Sequence, residues 1–100
     1  MIDLAALTDG DFAPHFGSRY RLQLAGAPEP LDLELVEITP GGQAPRRNRR
    51  TFSLVFRGPR RPWLPQGVYR LDHEAMGALE LFLVPIGPDP QGPLYQAVFT

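Results

Sequence analysis

The chain has 100 residues, of which 43% are hydrophobic and 21% are charged, and its formal net charge is −1. This length and composition predict a single domain over residues 1–100, because a chain of this size can bury one core without disulfides or metal ions. The absence of cysteine and of lysine excludes disulfides, thiolate metal sites, Schiff-base lysines and phosphate-loop lysines.

The N-terminal segment predicts a short helix. Thr8 is a suitable N-cap, and Asp9 and Asp11 suit the positive end of a first helical turn. Pro14 and Gly17 limit this helix to one or two turns. The segment has no basic start and no long apolar run, so no signal peptide is expected, and no stretch of the chain is long enough to cross a bilayer. We therefore expect a cytoplasmic protein without a membrane partner.

Segments with the character of β-strands follow the helix. Alternating apolar and polar residues mark the first four, and nearly continuous apolar sequence marks the last two; they begin near Tyr20, Leu31, Phe52, Tyr69, Leu79 and Leu94. The alternation changes phase after Leu35, which predicts a β-bulge near Leu35–Val36. With Pro- and Gly-rich connections between the segments, the pattern predicts a mainly β fold. We expect a small antiparallel barrel or sandwich of about six strands with a short N-terminal helix.

The fifth predicted strand is apolar on both faces. One face carries Leu79, Leu81 and Leu83, and the other carries Phe82, Val84 and Ile86. Only one of these faces can fill the main core, and monomers rarely expose a large apolar patch. We therefore expect that the second face is covered either by Phe12 and Phe16 or by a second copy of the chain in a homodimer.

No arrangement of residues predicts a catalytic centre. A hydrolytic triad would use Ser18 or Ser53, and neither serine lies in a Gly-x-Ser-x-Gly turn. The densest group of metal-ligand types is Asp72–Glu74, but neighbours on a strand point to opposite faces, which favours a polar strand end entering a turn. The sequence thus predicts no enzyme, no cofactor and no metal. The alternative is a small-molecule-binding or catalytic pocket in the barrel mouth, with polar groups from Tyr69, His73, Glu80 and Tyr95.

Positive charge is concentrated in the middle of the chain. Residues 38–71 hold eight arginines and no acid, whereas residues 1–37 and 72–100 carry net charges of −5 and −4. Arginines near an aromatic residue suit an acidic protein surface and also suit nucleic acid, but no nucleic-acid motif is present and nucleic acid is the less favoured partner. A loop that is only solvated, with Trp63 as an anchor in the core or the loop, is the structural alternative. The expected partner-binding residues are Arg46, Arg47, Arg49, Arg50, Arg60, Arg61 and Trp63.

Most of the chain carries a family resemblance, which is densest in the second half. The residues that carry it are Phe52–Pro59, Leu64–Leu71, Leu81–Pro88 and Tyr95–Phe99, together with Thr8, Asp11, Phe12, Pro14 and Gly17. These residues resemble an uncharacterised family of small bacterial proteins, a domain of unknown function. Members of that family are often encoded near phage-tail-collar-like proteins, so the resemblance implies an accessory role in a phage-tail-like structure and supplies no catalytic residue. We therefore expect a non-enzymatic assembly or interaction module with an acidic or tail-like protein partner.

Overall fold

A computed structural model describes residues 7–27, 29–43 and 50–99, and these residues form one small β-barrel. A short helix α1 (Asp9–Phe12) and a 3₁₀ helix (Ala13–His15) precede the strands β1 (Arg19–Leu22), β2 (Leu31–Gln43), β3 (Arg50–Arg57), β4 (Gly67–His73), β5 (Gly77–Asp89) and β6 (Gly92–Phe99). All neighbouring strands are antiparallel, in the closed order β1-β2-β3-β6-β5-β4. The predicted fold class is confirmed, and of its two forms the barrel is the one that occurs. Neither helix in the described ranges is long and apolar enough to cross a membrane.

Two long strands bend the sheet into a closed barrel. β2 and β5 are each 13 residues long, and each changes its partner along its length. The pairings are Leu31–Glu34 with β1, Glu34–Gln43 with β3, Gly77–Leu83 with β4, and Val84–Asp89 with β6. Register shifts at Leu35/Glu37 and Pro85/Gly87 lie at or near these changes of partner, and a bulge of this kind increases the bend of a strand. The bulge predicted near Leu35–Val36 is confirmed.

Alternate residues of the strands fill the barrel interior. The core contains Tyr20, Leu22, Leu33, Leu35, Phe52, Leu54, Phe56, Leu71, Leu79, Leu81, Leu83, Tyr95, Ala97 and Phe99, all buried. Full burial of one such large side chain contributes about 1.5–3 kcal/mol to folding. On β5 the inward face is therefore the one that carries the leucines.

The N-terminal helix closes the end of the barrel where β3 begins and β6 ends. The backbone N–H of Thr8 donates to Asp11 Oδ2 at 2.8 Å, and the Asp11 N–H donates to the Thr8 carbonyl at 3.0 Å, so this single turn is capped by its own residues. The ring of Phe12 is fully buried, with its centroid 5.9 Å from that of Phe52 and 5.5 Å from that of Phe99. Helix α1 is thus part of the core.

The outer face of β5 is not covered by the N-terminal aromatic residues, so that expectation is wrong. Phe12 lies inside the barrel, where the paired rings of Phe52 and Phe99 provide a closed apolar site. Phe16 follows the 3₁₀ helix and is 58% exposed, and Phe82 on β5 is 52% exposed. The homodimer alternative stays a prediction.

Candidate protein-binding site

The structure separates the predicted partner-binding residues into two groups. Arg46, Arg47 and Arg49 lie outside the described residues, and Arg50 is described only by its backbone, which pairs with Gln43 at the start of β3. The binding role of that arginine-rich segment stays a prediction. The remaining three, Arg60, Arg61 and Trp63, are all exposed in the loop that joins β3 to β4 at residues 58–66, which we call the β3–β4 loop.

The first half of the β3–β4 loop is tied to the turn between β5 and β6. The Gly58 N–H donates to the Pro93 carbonyl at 2.9 Å, and Arg60 Nη2 donates to the Pro90 carbonyl at 2.7 Å. The chain packs closely at residue 58, because a Cβ atom there would lie 3.0 Å from Leu33 Cδ2 and 3.1 Å from Tyr95 Cε2, so a side chain would require both neighbours to shift. The loop therefore leaves the barrel along a fixed path.

The second half of the loop is held by a buried side chain and two tyrosine hydroxyls. Leu64 is 4% exposed, and its N–H donates to Tyr95 Oη at 3.0 Å inside the protein. One residue later, the Pro65 carbonyl accepts a hydrogen bond of 2.6 Å from Tyr69 Oη. These contacts fix the loop on the side where it enters β4.

Trp63 lies between these two sets of contacts and is not the loop's anchor. Its side chain is 51% exposed, and it follows a cis Arg61–Pro62 peptide bond. The buried neighbour Leu64 takes the anchoring role, so the interpretation of Trp63 as an anchor in the core or the loop is wrong. The physical reason is that the Leu64 N–H donates to Tyr95 Oη inside the protein, which holds residue 64, and not residue 63, against the core.

The four polar residues expected in a barrel-mouth pocket do not converge. Tyr69 and His73 both point inward from β4, but they are four residues apart, a separation of about 13 Å along a strand. Tyr69 and Tyr95 lie close enough to interact electrostatically, but Glu80 is exposed on β5, and the Tyr95 hydroxyl accepts a hydrogen bond from the Leu64 N–H. The constellation of four is therefore absent among the described residues, because strand parity places Glu80 outside the barrel and strand length separates His73 from Tyr69.

His73 instead forms a contact that the sequence did not predict. Its Nε2 lies 2.9 Å from Ser18 Oγ, a residue 55 positions away in the chain. Its Nδ1 accepts hydrogen bonds from the backbone N–H groups of Ala75 and Met76 at 3.0 and 3.1 Å. A neutral imidazole has one protonated nitrogen, so Nε2 carries the proton and donates it to Ser18.

This hydrogen-bonding pattern matches a structural role better than a catalytic one. Ser18 Oγ accepts a hydrogen bond from His73 Nε2 and donates its own proton to the carbonyl of His15, so each proton in this series of hydrogen bonds has one donor and one acceptor. With Nε2 protonated, His73 in this arrangement has no lone pair with which to take the Ser18 proton. The imidazole links the end of β4, the following turn and the 3₁₀ helix. The expected polar strand end entering a turn is what the structure shows at residues 72–77.

A polar cleft lies beside this histidine. It has a volume of about 600 Å³ and is lined by Ser18, Arg19, Arg21, Asp32, Asp72, His73 and Glu74. Its charges partly neutralise one another, because Arg19 lies 3.7 Å from Asp32 and Arg70 lies 3.2 Å from Asp72, and such exposed pairs contribute little to stability. Within the described residues, no group of three or more histidine or carboxylate side chains could hold a metal ion. The cleft therefore favours no particular ligand.

Comparison with known proteins places the chain in a family. A family model described as a domain of unknown function, DUF6916, matches residues 7–99. The chain belongs to this family. No curated protein and no solved structure shows significant similarity to the chain.

The DUF6916 match covers the whole of the described fold, from the buried Leu7 before α1 to the buried Phe99 at the end of β6. The resemblance to an uncharacterised family is thereby confirmed. The bacterial origin and the link to phage-tail-collar-like proteins stay predictions. The match thus supports the barrel with its N-terminal helix as the unit that the DUF6916 family shares.

The His73 network predicts that this DUF6916 domain loses stability in weak acid. Burial lowers the pKa of His73 below its usual value of 6.5, the nearby His15 lowers it further, and Glu74 opposes both effects. Because the native pKa is the lower one, the unfolded chain binds more protons as the pH falls. The contribution of the neutral imidazole is therefore complete above about pH 6.5 and is lost as the pH falls through the native pKa.

Urea denaturation between about pH 8 and about pH 5 measures this loss as a falling free energy of unfolding. The variant His73→Asn should be less stable than the wild type at about pH 8 and should show a smaller fall on acidification. An equal fall in both proteins would assign the pH dependence to other groups.

Proposed function

We propose that the protein is a non-enzymatic interaction module that binds an acidic protein surface through the β3–β4 loop. The observation that carries this proposal is the half-exposed indole of Trp63 on a loop whose two sides are hydrogen-bonded to the barrel. Arg60 and Arg61 are exposed beside it, so an aromatic group and two cations are presented together. Exposed side chains of this kind contribute little to the stability of the fold, whereas they can contribute much to the binding of a protein partner.

The physical basis of the proposal is the composition and the order of the loop. Tryptophan and arginine are the residues that most often dominate the binding energy of protein interfaces. A loop that is already held in one conformation loses less conformational entropy when it binds. Arginines direct the choice of partner toward carboxylates, because charge-assisted hydrogen bonds to carboxylates are stronger than neutral ones. An acidic surface with an apolar site for the indole is therefore the expected partner.

A narrower form of the proposal concerns the assembly in which the module acts. The family resemblance implies an accessory role in a phage-tail-like structure, in which case the acidic partner is a tail component. This form of the proposal rests on the genes that neighbour family members, and the β3–β4 loop supports only the more general one. Co-expression with the products of the neighbouring genes tests both forms at once.

The test compares binding of a co-expressed partner by four proteins: the wild type, Trp63→Ala, Arg61→Ser and the matched control Phe16→Ala. The control removes an aromatic side chain of similar exposure from a different place in the fold. Truncation of an interface hot spot costs about 2 kcal/mol or more, so Trp63→Ala should weaken binding by about thirtyfold, while Phe16→Ala leaves it unchanged. Arg61→Ser should slow association and reduce its dependence on salt.

Two results would count against the proposal. Equal binding by Trp63→Ala and Phe16→Ala would show that the partner does not contact the loop. Failure of the wild type to capture any partner at low salt would remove the support for an interaction module. Both variants change exposed side chains, so their melting temperatures should stay close to that of the wild type, which keeps the binding result interpretable.

A further inference from the structure

We infer that the outer face of β4 and β5 is a self-complementary interface that binds a second copy of this chain. This surface is separate in sequence from the β3–β4 loop, and the inference goes beyond the proposed function and does not depend on it. The surface, which we call the β4–β5 face, is formed by two cross-strand pairs, Val68 with Phe82 and Arg70 with Glu80.

The apolar pair supplies the reason for this face to be covered. Val68 and Phe82 are direct neighbours across the two strands, and their side chains are 63% and 52% exposed. Along β5, Val84 is partly exposed and Ile86 is exposed, so apolar surface continues past the pair. The described N-terminal aromatic residues do not cover it, since Phe12 is in the core. Burial of this surface by a partner is favourable at about 25 cal/mol per Å².

The charged pair indicates which partner fits. Arg70 and Glu80 lie two residues from Val68 and Phe82 on the same face, so the two strands carry one basic and one acidic side chain at the same level. Arg70 Nε also lies 3.2 Å from Asp72 Oδ1 on its own strand, and the Arg70 side chain stays 56% exposed, so it is still accessible to a partner. A foreign apolar surface would have to match both signs of charge in this order. A second copy of the chain already has both, in the positions that a symmetric dimer requires.

A two-fold axis that runs between β4 and β5, parallel to the strands, produces this match. Rotation about such an axis exchanges the positions of the two strands, so that each strand of one copy lies over the other strand of its partner. Arg70 of each copy then faces the partner's Glu80, and Val68 faces the partner's Phe82. A two-fold axis that crosses the strands at the level of the charged pair would instead place Arg70 opposite the Arg70 of the second copy, and Glu80 opposite its Glu80. The register of β4 and β5 therefore selects one orientation.

A stable dimer needs more surface than the paired segment of β4 and β5 alone. A typical specific interface buries about 800 Å² on each partner. The chain has a surface of 6239 Å², so the dimer would cover roughly one eighth of it. The seven paired residues of β4 and β5 span about 23 Å by about 10 Å, so the rest of the interface has to come from the continuation of β5 through Val84 and Ile86 and from the neighbouring strands. An apolar centre bordered by charges is also the usual anatomy of an interface.

Charge reversal with the full chain tests the inference by sedimentation equilibrium. The wild type should be a dimer at micromolar concentration. Arg70→Glu gives a face with acids on both strands, Glu80→Arg gives a face with arginines on both strands, and each variant alone should dimerise at least about tenfold more weakly. An equimolar mixture of the two variants should form a heterodimer, since both intermolecular contacts are then attractive. Each variant also has two like charges side by side within its own chain, and this repulsion is unchanged by mixing. Recovery of dimerisation in the mixture therefore shows that the charges act between chains.

The matched control reverses an exposed charged pair elsewhere on the barrel, Arg19 with Asp32 on β1 and β2. Arg19→Glu and Asp32→Arg should each remain dimeric, as should their mixture. Phe82→Ser should be monomeric, whereas Phe16→Ser should dimerise like the wild type. A monomeric wild type at high micromolar concentration, or charge-reversed mixtures at the β4–β5 face that stay monomeric, would overturn the inference. Binding through Trp63 would be unaffected by either result, so the two proposals fail independently.

Discussion

Replacement of Phe12 by alanine should lower the free energy of unfolding by about 3–5 kcal/mol, which is the usual cost of removing a buried phenyl ring from a core. The ring is completely buried and lies 5.5 Å from Phe99 and 5.9 Å from Phe52, centroid to centroid. Its loss would leave a cavity at the end of the barrel, where the paired rings on β3 and β6 cannot close the space without moving their strands. Helix α1 has one turn, and Phe12 is its only buried residue, so this ring supplies the helix's own contact with the core.

Phe16→Ala is the matched control, because it makes the same chemical change four residues later at a side chain that is 58% exposed. Its free energy of unfolding should lie within about 0.5 kcal/mol of the wild type. Urea denaturation of the three proteins measures the difference. Similar values for Phe12→Ala and Phe16→Ala would mean that α1 is an appendage and that the barrel core ends at Phe52 and Phe99.

Much of the fold follows from local patterns in the sequence. The first four strands are predicted from period-two alternation and the last two from nearly continuous apolar sequence, with turn residues between them. The bulge is predicted because Leu35 and Val36 cannot both keep the phase of β2. The helix begins after Thr8, as its capping residues indicate, and Thr8 and Asp11 form a capping box in which the Asp11 carboxylate accepts from the Thr8 N–H and hydroxyl. These features depend on neighbouring residues only, which is why they can be predicted.

The features that were missed depend on contacts between distant parts of the chain. The sequence shows that Phe12 and Phe16 are apolar, but not that only the first one faces the pair formed by Phe52 and Phe99. The Ser18–His73 hydrogen bond depends on the placement of the 3₁₀ helix against the end of β4, and neither residue has a neighbour that indicates the contact. Barrel closure through β1 and β4 is equally non-local, since it consists of a short pairing at Arg21–Leu22.

In the candidate site, too, local features could be predicted from the sequence and features set by distant contacts could not. Its composition, two arginines and a tryptophan between prolines, is visible in the sequence and led to the prediction of a partner surface. Which side chain would be buried is decided by the tyrosine hydroxyl inside the barrel, because Tyr95 accepts the N–H of Leu64 and so fixes the leucine inward and the indole outward. The residue types alone therefore do not predict whether Trp63 or Leu64 is the buried one. The pairing of an exposed Val68 with an exposed Phe82 likewise appears only when the register is known.

Replacement of Gly92 by alanine should lower the free energy of unfolding by about 3 kcal/mol or more, because two penalties combine at this position. Gly92 begins β6 with a φ of +144°, a conformation that side chains rarely adopt. A Cβ atom there would also lie 2.7 Å from the carbonyl oxygen of Gly58, which is backbone and cannot rotate away. The clash would push apart the β5–β6 turn and the start of the β3–β4 loop.

Gly87→Ala separates the two penalties. Gly87 also has a positive φ, +122°, but no atom lies within 4 Å of the position that its Cβ would take. This variant should therefore show only the cost of backbone strain, about 1–3 kcal/mol, and should be clearly more stable than Gly92→Ala in urea denaturation. Gly92→Ala should in addition weaken partner binding at temperatures where it is still folded, since the hydrogen bond from Gly58 to Pro93 helps to hold the loop that carries Trp63. Equal stability of the two variants would show that the backbone approach between Gly58 and Gly92 does not constrain the loop.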